Sequence, residues 1–443
     1  MDIWHLKGGN RLSGRCLVQG SKNATLPILA ASIICPMRCE LMNVPNLSDV
    51  DAALRILRHL GCIASQSGSD VYIDSTTLSY TAIPHSLMAE MRSSVIFMGA
   101  LIARCGEARL SLPGGCQLGK RPIDMHLSAL RKMGADIEED GGEIYCRPSK
   151  LVGQEIVLPF PSVGATENIM LSACGAEGKT VIRGAAREPE IYALQEFLKT
   201  MGANVFGAGS DTIVIDGVEA ESFIGCRIMP DRIVASTFAC AAAAVGGDIL
   251  LENVETEQFS TVLYFLNQAG CDIIKSKRSV RICAKDRLKA VEQISTAPYP
   301  GFPTDAQPVL MAALLKAKGE SLITENIFEN RYRQVPELLK LGADISVDGR
   351  NAVIRGVEEL YGTKLKATDL RGAAAMIIAG LSAEGDTVIS DEGHVRRGYE
   401  NFDTILRSLG AEITGETNEY CSHCGGRPLV LSKARGRFLS EFR

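Results

Sequence analysis

Six times along this chain a helix-like stretch closes on a hydrophobic residue, a glycine and then a small residue. The copies are Leu60-Gly61-Cys62, Met133-Gly134-Ala135, Met201-Gly202-Ala203, Ala269-Gly270-Cys271, Leu341-Gly342-Ala343 and Leu409-Gly410-Ala411. Their glycines lie about 70 residues apart, a longer period than the common solenoids have. After the signature comes a short alternating stretch, a turn and another, as in Asp70-Val71-Tyr72-Ile73-Asp74, Thr212-Ile213-Val214-Ile215-Asp216 and Ala352-Val353-Ile354-Arg355. Alternation broken by a turn predicts β-hairpins.

A second helix recurs too, rich in small residues and closed by glycine: Ala165 to Gly178, Asp231 to Gly247, Asp305 to Gly319 and Asp369 to Gly385. The run Cys240-Ala241-Ala242-Ala243-Ala244 suits helices packed tightly inside a ring of sheets. Each unit is therefore two helices and about four strands, a βαββαβ-like α/β repeat. At 443 residues the chain is too long for one ordinary core. Six units divide naturally into two lobes of three, and a cleft between lobes is the usual place for a ligand.

Composition narrows the function. The chain is 46% hydrophobic, 22% charged and carries a formal net charge of −5, which gives no electrostatic footprint for nucleic acid. The start, Met1-Asp2-Ile3-Trp4-His5-Leu6-Lys7, is acidic at once and lacks the apolar core of a signal peptide. The longest apolar stretch, Leu26 to Met37, contains Pro27 and Pro36 and is too short to span a bilayer. Fourteen cysteines without a disulfide-like framework read as free thiols, and the expected location is a reducing cytoplasm with no membrane partner.

Charged and reactive residues that break the repeat mark a candidate site. Pro113-Gly114-Gly115-Cys116 places one thiol among glycines, with Lys120 and Arg121 four and five residues on. Cations beside a thiol lower its pKa and make its proton transferable near neutral pH; the bland alternative is a turn with a packing cysteine. Gly20-Ser21-Lys22-Asn23 precedes a helix that Pro27 is expected to start, so Lys22 and Asn23 read either as an anion-holding loop or as a solvated lysine and a cap. Arg396-Arg397-Gly398-Tyr399 offers paired guanidinium groups, suited to phosphate or carboxylate, or simply a solvated helix entry. Asp305 follows a stiff run, Pro298 to Thr304, and stands at a helix start where the dipole favours its ionised form. Asp231, Asp369 and Glu167 take the corresponding place in other units, so an acid there is first a helix-start feature. Cys421-Ser422-His423-Cys424 is half a zinc site at best.

Taken together, Gly20-Ser21-Lys22-Asn23-Ala24, Pro113-Gly114-Gly115-Cys116, Arg121-Pro122-Ile123-Asp124, Pro161 to Asn168, Ala186 to Glu190, Pro298 to Asp305 and Arg397-Gly398-Tyr399 resemble the UDP-N-acetylglucosamine enolpyruvyl transferase family. The likeness runs from Leu6 to about Ile413 with the motifs in family order. It implies a two-lobed inside-out α/β barrel (an α/β prism). One lobe would span 22–229 and carry the cysteine loop; 1–21 with 230–443 would form the other. It also implies transfer of the enolpyruvyl group of phosphoenolpyruvate to the 3′-hydroxyl of UDP-N-acetylglucosamine, the step that commits bacteria to peptidoglycan precursors, with no metal or organic cofactor.

The resemblance assigns Cys116 as proton donor, Asp305 as the base on the sugar hydroxyl, and Lys22, Arg121 and Arg397 as the cations for phosphoenolpyruvate. It lines the UDP-sugar pocket with Asn23, Arg92, Arg121, Pro122, Ile123, Asp124, Ser162, Val163, Gly164, Asp305 and Ile327. Three features depart from the family: Arg396 where many members are acidic, Phe160 where some have lysine, and the long tail after Thr414. The sister enzyme acting on shikimate 3-phosphate shares the expected fold but lacks both the Pro-Gly-Gly-Cys loop and the stretch after Pro161. A non-catalytic scaffold is the other rival, and it has no need of Lys22, Cys116, Asp305 and Arg397 together.

Overall fold

The repeated glycine has a conformational cause. In the computed structural model all six adopt the left-handed region, with φ between +91° and +104°, where a side chain would be strained. Each ends the unit's outer helix. The amide of the following small residue then turns back onto the last helical turn, Cys62 to the Leu57 carbonyl and Ala135, Cys271 and Ala411 to Leu130, Leu266 and Leu406, all at 3.0 Å. That small residue is buried in every copy as it enters the next strand. The structure describes residues 1–91, 93–111, 123–147, 149–218 and 223–417.

The described residues form six four-stranded sheets with one common order. In the simplest case Glu155–Val157 runs parallel to Lys179–Arg183, which pairs antiparallel with Thr212–Val218, itself the second arm of a hairpin with Ala203–Phe206. Three sheets borrow a strand from elsewhere in the chain. Phe223–Arg227 joins Arg38–Met42, and Ser13–Leu17 joins Asp248–Glu252, both in parallel. Asp2–Lys7 lies antiparallel between Asp386–Asp391 and Glu412–Thr417. Borrowing closes each set of three units, so distant strands cover edges that would otherwise stand open. All six units are present, and the expected hairpin follows the glycine in five of them; in the sixth, Glu412–Thr417 takes Asp2–Lys7 as its partner instead of a strand that follows it.

Two kinds of helix follow from two kinds of sequence. Ser48–His59 is amphipathic, burying Val50, Ala53, Leu54 and Leu57 while Asp51, Arg55 and Arg58 face water. Lys22–Ala31, Ile96–Cys105 and Val163–Ala173 are buried almost all round and pack on one another. Arg232–Val245, Gln307–Leu314 and Leu370–Leu381 do the same. Small residues permit this closeness: a Cβ added at Gly99 would sit 2.3 Å from the Asn168 side-chain oxygen.

Two separate hydrophobic cores result, one drawn from Ala24 to Ile228 and the other from Trp4 to Val18 and Val234 to Ile413. The chain passes between them twice, and the passages lie side by side. Gly20 bridges Pro230, the Ser21 amide bonds the Met229 carbonyl at 2.7 Å, and the Asp231 amide bonds the Gln19 carbonyl at 2.9 Å. No described helix is long and apolar enough to cross a membrane. The eleven described cysteines are all free.

Two local expectations need correction. Pro27 does not start its helix: Ser21 caps it through a bond from the Ala24 amide, so Lys22 and Asn23 are helical and Pro27 lies inside. The Ser21 side chain supplies the acceptor that the first turn needs, so the helix begins at Lys22, before Pro27. Glu167 is likewise no helix-start acid. Ser162 caps Val163–Ala173, and Glu167 is buried within it. Asp231 and Asp369 do cap their helices, each accepting two backbone amides.

Candidate active site

Where the two passages meet, the chain assembles a cluster of buried charges. Lys22 opens its helix beside Asp231, whose carboxylate accepts the Lys22 amide at 3.2 Å as well as the Ile233 and Val234 amides. The Lys22 ammonium lies 3.0 Å from Asp49, in the first turn of Ser48–His59. The same carboxylate takes the Arg397 guanidinium, at 2.8 Å through Nε and 3.3 Å through Nη2. Asp49 therefore joins two of the expected anion-binding cations, and Arg397 reaches it from a turn belonging to the other core.

These contacts set the charge states. Burial pushes the Lys22 amine below the ordinary lysine value, Asp49 opposes the fall, and Arg371 and Arg397 add to it. Burial also disfavours charge on Asp49, but Lys22 and Arg397 outweigh it and hold the carboxyl below the usual aspartate range. Asp231 moves the other way, upward, because burial exceeds the help that Arg371 and its amide donors give.

Asp305 stands in the 3-10 turn Thr304–Ala306 that leads into Gln307–Leu314. Two guanidinium groups grip it: Arg331 Nη2 at 2.9 Å from Oδ1 and Arg371 Nη2 at 3.2 Å from Oδ2. Those arginine side chains are 2% and 5% exposed, whereas that of Asp305 is 31% exposed. The arginines are thus fixed parts of the wall and the carboxylate is its accessible face. Arg331 also donates to the Thr304 carbonyl, and Arg371 to the Tyr399 hydroxyl, which meets Thr237. Arg371 links Asp305 to Tyr399, two residues from Arg397.

Lys22, Asp305 and Arg397 thus belong to one linked set of charged groups. Asn23, the second residue of the Lys22 helix, is partly buried. Ser162, Val163 and Gly164 form the capped start of the Val163–Ala173 helix, and Gly164 faces the buried His126 ring, which bonds Asn168. Ile123 and Asp124 open the Asp124–Lys132 helix. The Ile327 amide donates to the buried Glu325, which also accepts the Thr304 hydroxyl, so Ile327 is tied to the Asp305 turn. Arg92, Cys116, Arg121, Pro122 and the Cys421/Cys424 tail lie outside the described residues.

Sequence reasoning missed Asp49, Arg331 and Arg371. For Arg371 a signal exists, since Asp369-Leu370-Arg371-Gly372-Ala373-Ala374 sets a charge inside a helix otherwise fit for burial. Asp49 shows none, for an acid in the first turn of an amphipathic helix is ordinary. Of the departures, Arg396 pairs with Asp2 at 2.6 Å, and Phe160 is 41% exposed.

The chain matches the family model described as EPSP synthase (3-phosphoshikimate 1-carboxyvinyltransferase) over residues 6–406. It is 48% identical to UDP-N-acetylglucosamine 1-carboxyvinyltransferase 2 of Caldanaerobacter subterraneus subsp. tengcongensis over 413 residues, 93% of this chain and 99% of that protein. To the UDP-N-acetylglucosamine 1-carboxyvinyltransferase of Geotalea uraniireducens it is 44% identical, with the same coverage. Among solved structures, the enolpyruvyl transferase NikO from Streptomyces tendae has a TM-score of 0.85, covering 94% of this chain and 98% of its own, at 24% identity. EPSP synthase from Acinetobacter baumannii gives 0.73 at 21% identity, covering 94% and 100%. At such identities the structural likeness shows the fold alone: the two-lobed α/β prism.

Proposed function

The chain belongs to the EPSP synthase (3-phosphoshikimate 1-carboxyvinyltransferase) family of enolpyruvyl transferases, and from that premise we propose that it transfers the enolpyruvyl group of phosphoenolpyruvate to the 3′-hydroxyl of UDP-N-acetylglucosamine, releasing phosphate. The family model is described by a shikimate-phosphate enzyme, yet relatives at 44–48% identity carry the UDP-sugar name, and that favours the nucleotide sugar as acceptor. In this reading the enzyme works in the cytoplasm on peptidoglycan precursors. Its site lies between the lobe of residues 22–229 and that of 1–21 with 230–443.

The observation that carries the mechanism is the grip of two buried arginines on the accessible carboxylate of Asp305, in the same charge network as Lys22 and Arg397. A dianionic phosphate and a carboxylate need several cations, and Lys22, Arg121 and Arg397 are the assigned ones. Cys116 gives its proton to the methylene carbon of phosphoenolpyruvate, which becomes a methyl group. The sugar oxygen bonds to the central carbon as Asp305 takes the hydroxyl proton. The Cys116 thiolate then takes back a methyl proton as the carbon–oxygen bond to phosphate breaks, restoring the double bond. Phosphate leaves with the proton held by Asp305, while the cations offset its charge. Asn23, Arg92, Arg121, Pro122, Ile123, Asp124, Ser162, Val163, Gly164, Asp305 and Ile327 are assigned to the UDP-sugar.

Phosphate release measured with both substrates, against each alone, tests the reading. Release only when phosphoenolpyruvate and UDP-N-acetylglucosamine are both present is the expected result. Release with shikimate 3-phosphate in place of the UDP-sugar would overturn the choice of acceptor.

A further inference from the structure

Asp305 belongs to a loop that is fastened to both cores. On its own side Phe302 is buried edge-on to Phe265 at 5.4 Å, the Thr304 hydroxyl bonds Glu325, and the Thr304 carbonyl bonds Arg331. On the other side the loop meets the Pro189–Thr200 helix, which packs on the first core. The Tyr299 amide, six residues before Asp305, donates a long 3.5 Å bond to Glu188 Oε1 at the start of that helix. The Tyr299 ring lies under the Arg232 guanidinium, 5.6 Å from carbon to centroid.

Arg232 is itself the cross-piece. It is the first residue of Arg232–Val245, in the second core, and it is buried. Its guanidinium forks onto Glu190 of the first core, at 3.0 and 3.3 Å through Nε and 3.2 Å through Nη2. A fork of this kind fixes direction as well as distance. Glu188 Oε2 is buried with no hydrogen-bond partner among the described residues, and Arg232 is the cation that offsets the charge of both acids. Glu188 and Asp305 both lie within the electrostatic reach of Arg232.

We propose that Glu188, Glu190, Arg232 and Tyr299 form a clasp between the two halves of the chain that positions Asp305 for the sugar hydroxyl. The proposal rests on the reading of Asp305 as the base. These are positioning residues: none of them need touch substrate. The ring of Tyr299 works as a platform for Arg232, so its aromatic face matters and its hydroxyl does not.

The ion pair is a poor place for a first test, since removing either partner leaves a buried charge and threatens the fold. Tyr299 is better. Tyr299→Leu should keep its KM for both substrates and lose about tenfold to a hundredfold in kcat, the scale of a base displaced by about an ångström. Tyr299→Phe should retain wild-type kcat. Added to Asp305→Ala, Tyr299→Leu should cost nothing more, because both changes act on one group. Unchanged emission from the single tryptophan, Trp4, would certify folding in each variant. A folded Tyr299→Leu with wild-type kcat, or one equally harmful in the Asp305→Ala background, would overturn the clasp while leaving an inactive Asp305→Ala, and so the base, in place. A fully active Asp305→Ala would instead overturn the role of Asp305 and the clasp with it.

Discussion

Asp49 holds the Arg397 guanidinium at 2.8 Å and the Lys22 ammonium at 3.0 Å, so one carboxylate occupies two of the cations assigned to phosphoenolpyruvate. If these cations bind phosphoenolpyruvate as proposed, the entering anion would meet cations already placed and compete with Asp49 for Arg397. On the proposed assignment, Asp49 would belong to the phosphoenolpyruvate site as the group that holds its cations in register.

Asp49→Ala should therefore damage both stability and substrate use. The Lys22 side chain is 11% exposed and that of Asp49 is 4%, so removing the acid strands a buried cation beside Arg371 and Arg397, a change worth about 3–5 kcal/mol. Urea unfolding should show the loss, and the KM for phosphoenolpyruvate should rise more than that for the UDP-sugar. Loss of stability with both KM values unchanged would confine Asp49 to a structural role.

The same residue predicts an acid limb in the stability profile. Lys22 and Arg397 overcome the cost of burial and hold the Asp49 carboxyl below its unfolded value. A depressed carboxyl adds stability above the unfolded pKa of about 4 and loses it as pH falls through the folded value. The difference between wild type and Asp49→Asn should be constant from neutral pH down to about 5 and shrink below about 4. Asp231 and Glu188, raised by burial, have the opposite sign and lose their contribution as pH rises through their folded values. A difference that grows toward acid pH would mean that Asp49 is not ionised in the folded protein.

Arg397→Ala should weaken use of phosphoenolpyruvate far more than binding of the UDP-sugar, because a guanidinium fork suits the smaller anion. Titration calorimetry with each substrate separates the two. Equal loss of both would assign Arg397 to holding the two cores together through Asp49.

Much of this architecture can be read from residues alone, because backbone geometry demands particular side chains. A left-handed φ at the end of each outer helix requires glycine, and that one requirement exposes six units. The start of the Lys22 helix was harder to read: proline marks helix starts on average, but the Ser21 cap decides the matter here. Arg331 lies in Glu329-Asn330-Arg331-Tyr332-Arg333, which reads as a polar loop. Only the fold brings it against Asp305, across 26 residues of chain. The strands borrowed from residues 2–17 and 223–227 are equally hidden, since pairing partners more than 180 residues away leave no local trace.

Arg396 departs from the acidic residue common in the resembling family, and its contact shows what the change does. Its guanidinium meets Asp2, whose neighbour in register across the sheet is the buried Asp391. Asp391 accepts the His394 and Val395 amides and the Trp4 indole, fixing the turn that carries Arg397. Arg396→Glu would set a third acid beside Asp2 and Asp391. It should lower the midpoint of unfolding and alter the emission of Trp4. A variant with wild-type stability and emission would show that the pair with Asp2 contributes nothing.

The assignment of Cys116 makes the sharpest prediction, because the other thiols provide the contrast. Burial pushes Cys16, Cys39, Cys174 and Cys271 up to about 12, and Cys62 and Cys146 to about 11, so few of them are thiolate near neutral pH. Cys240 is raised by burial as well. Cys116 has Gly114, Gly115, Lys120 and Arg121 nearby in sequence, and cations close to a thiol lower its pKa. Fosfomycin, an epoxide phosphonate, should therefore alkylate Cys116 and spare the cysteines named above, and the UDP-sugar should speed the reaction. Cys116→Ser should lose most activity, since a hydroxyl is a far weaker acid than a thiol. Cys116→Asp should keep some turnover and resist the epoxide, because a carboxyl can deliver a proton but attacks the epoxide poorly. Peptide mass spectrometry locates the label. A label on a different cysteine, or a serine variant with normal turnover, would make Cys116 a packing residue and remove the proton donor from the mechanism.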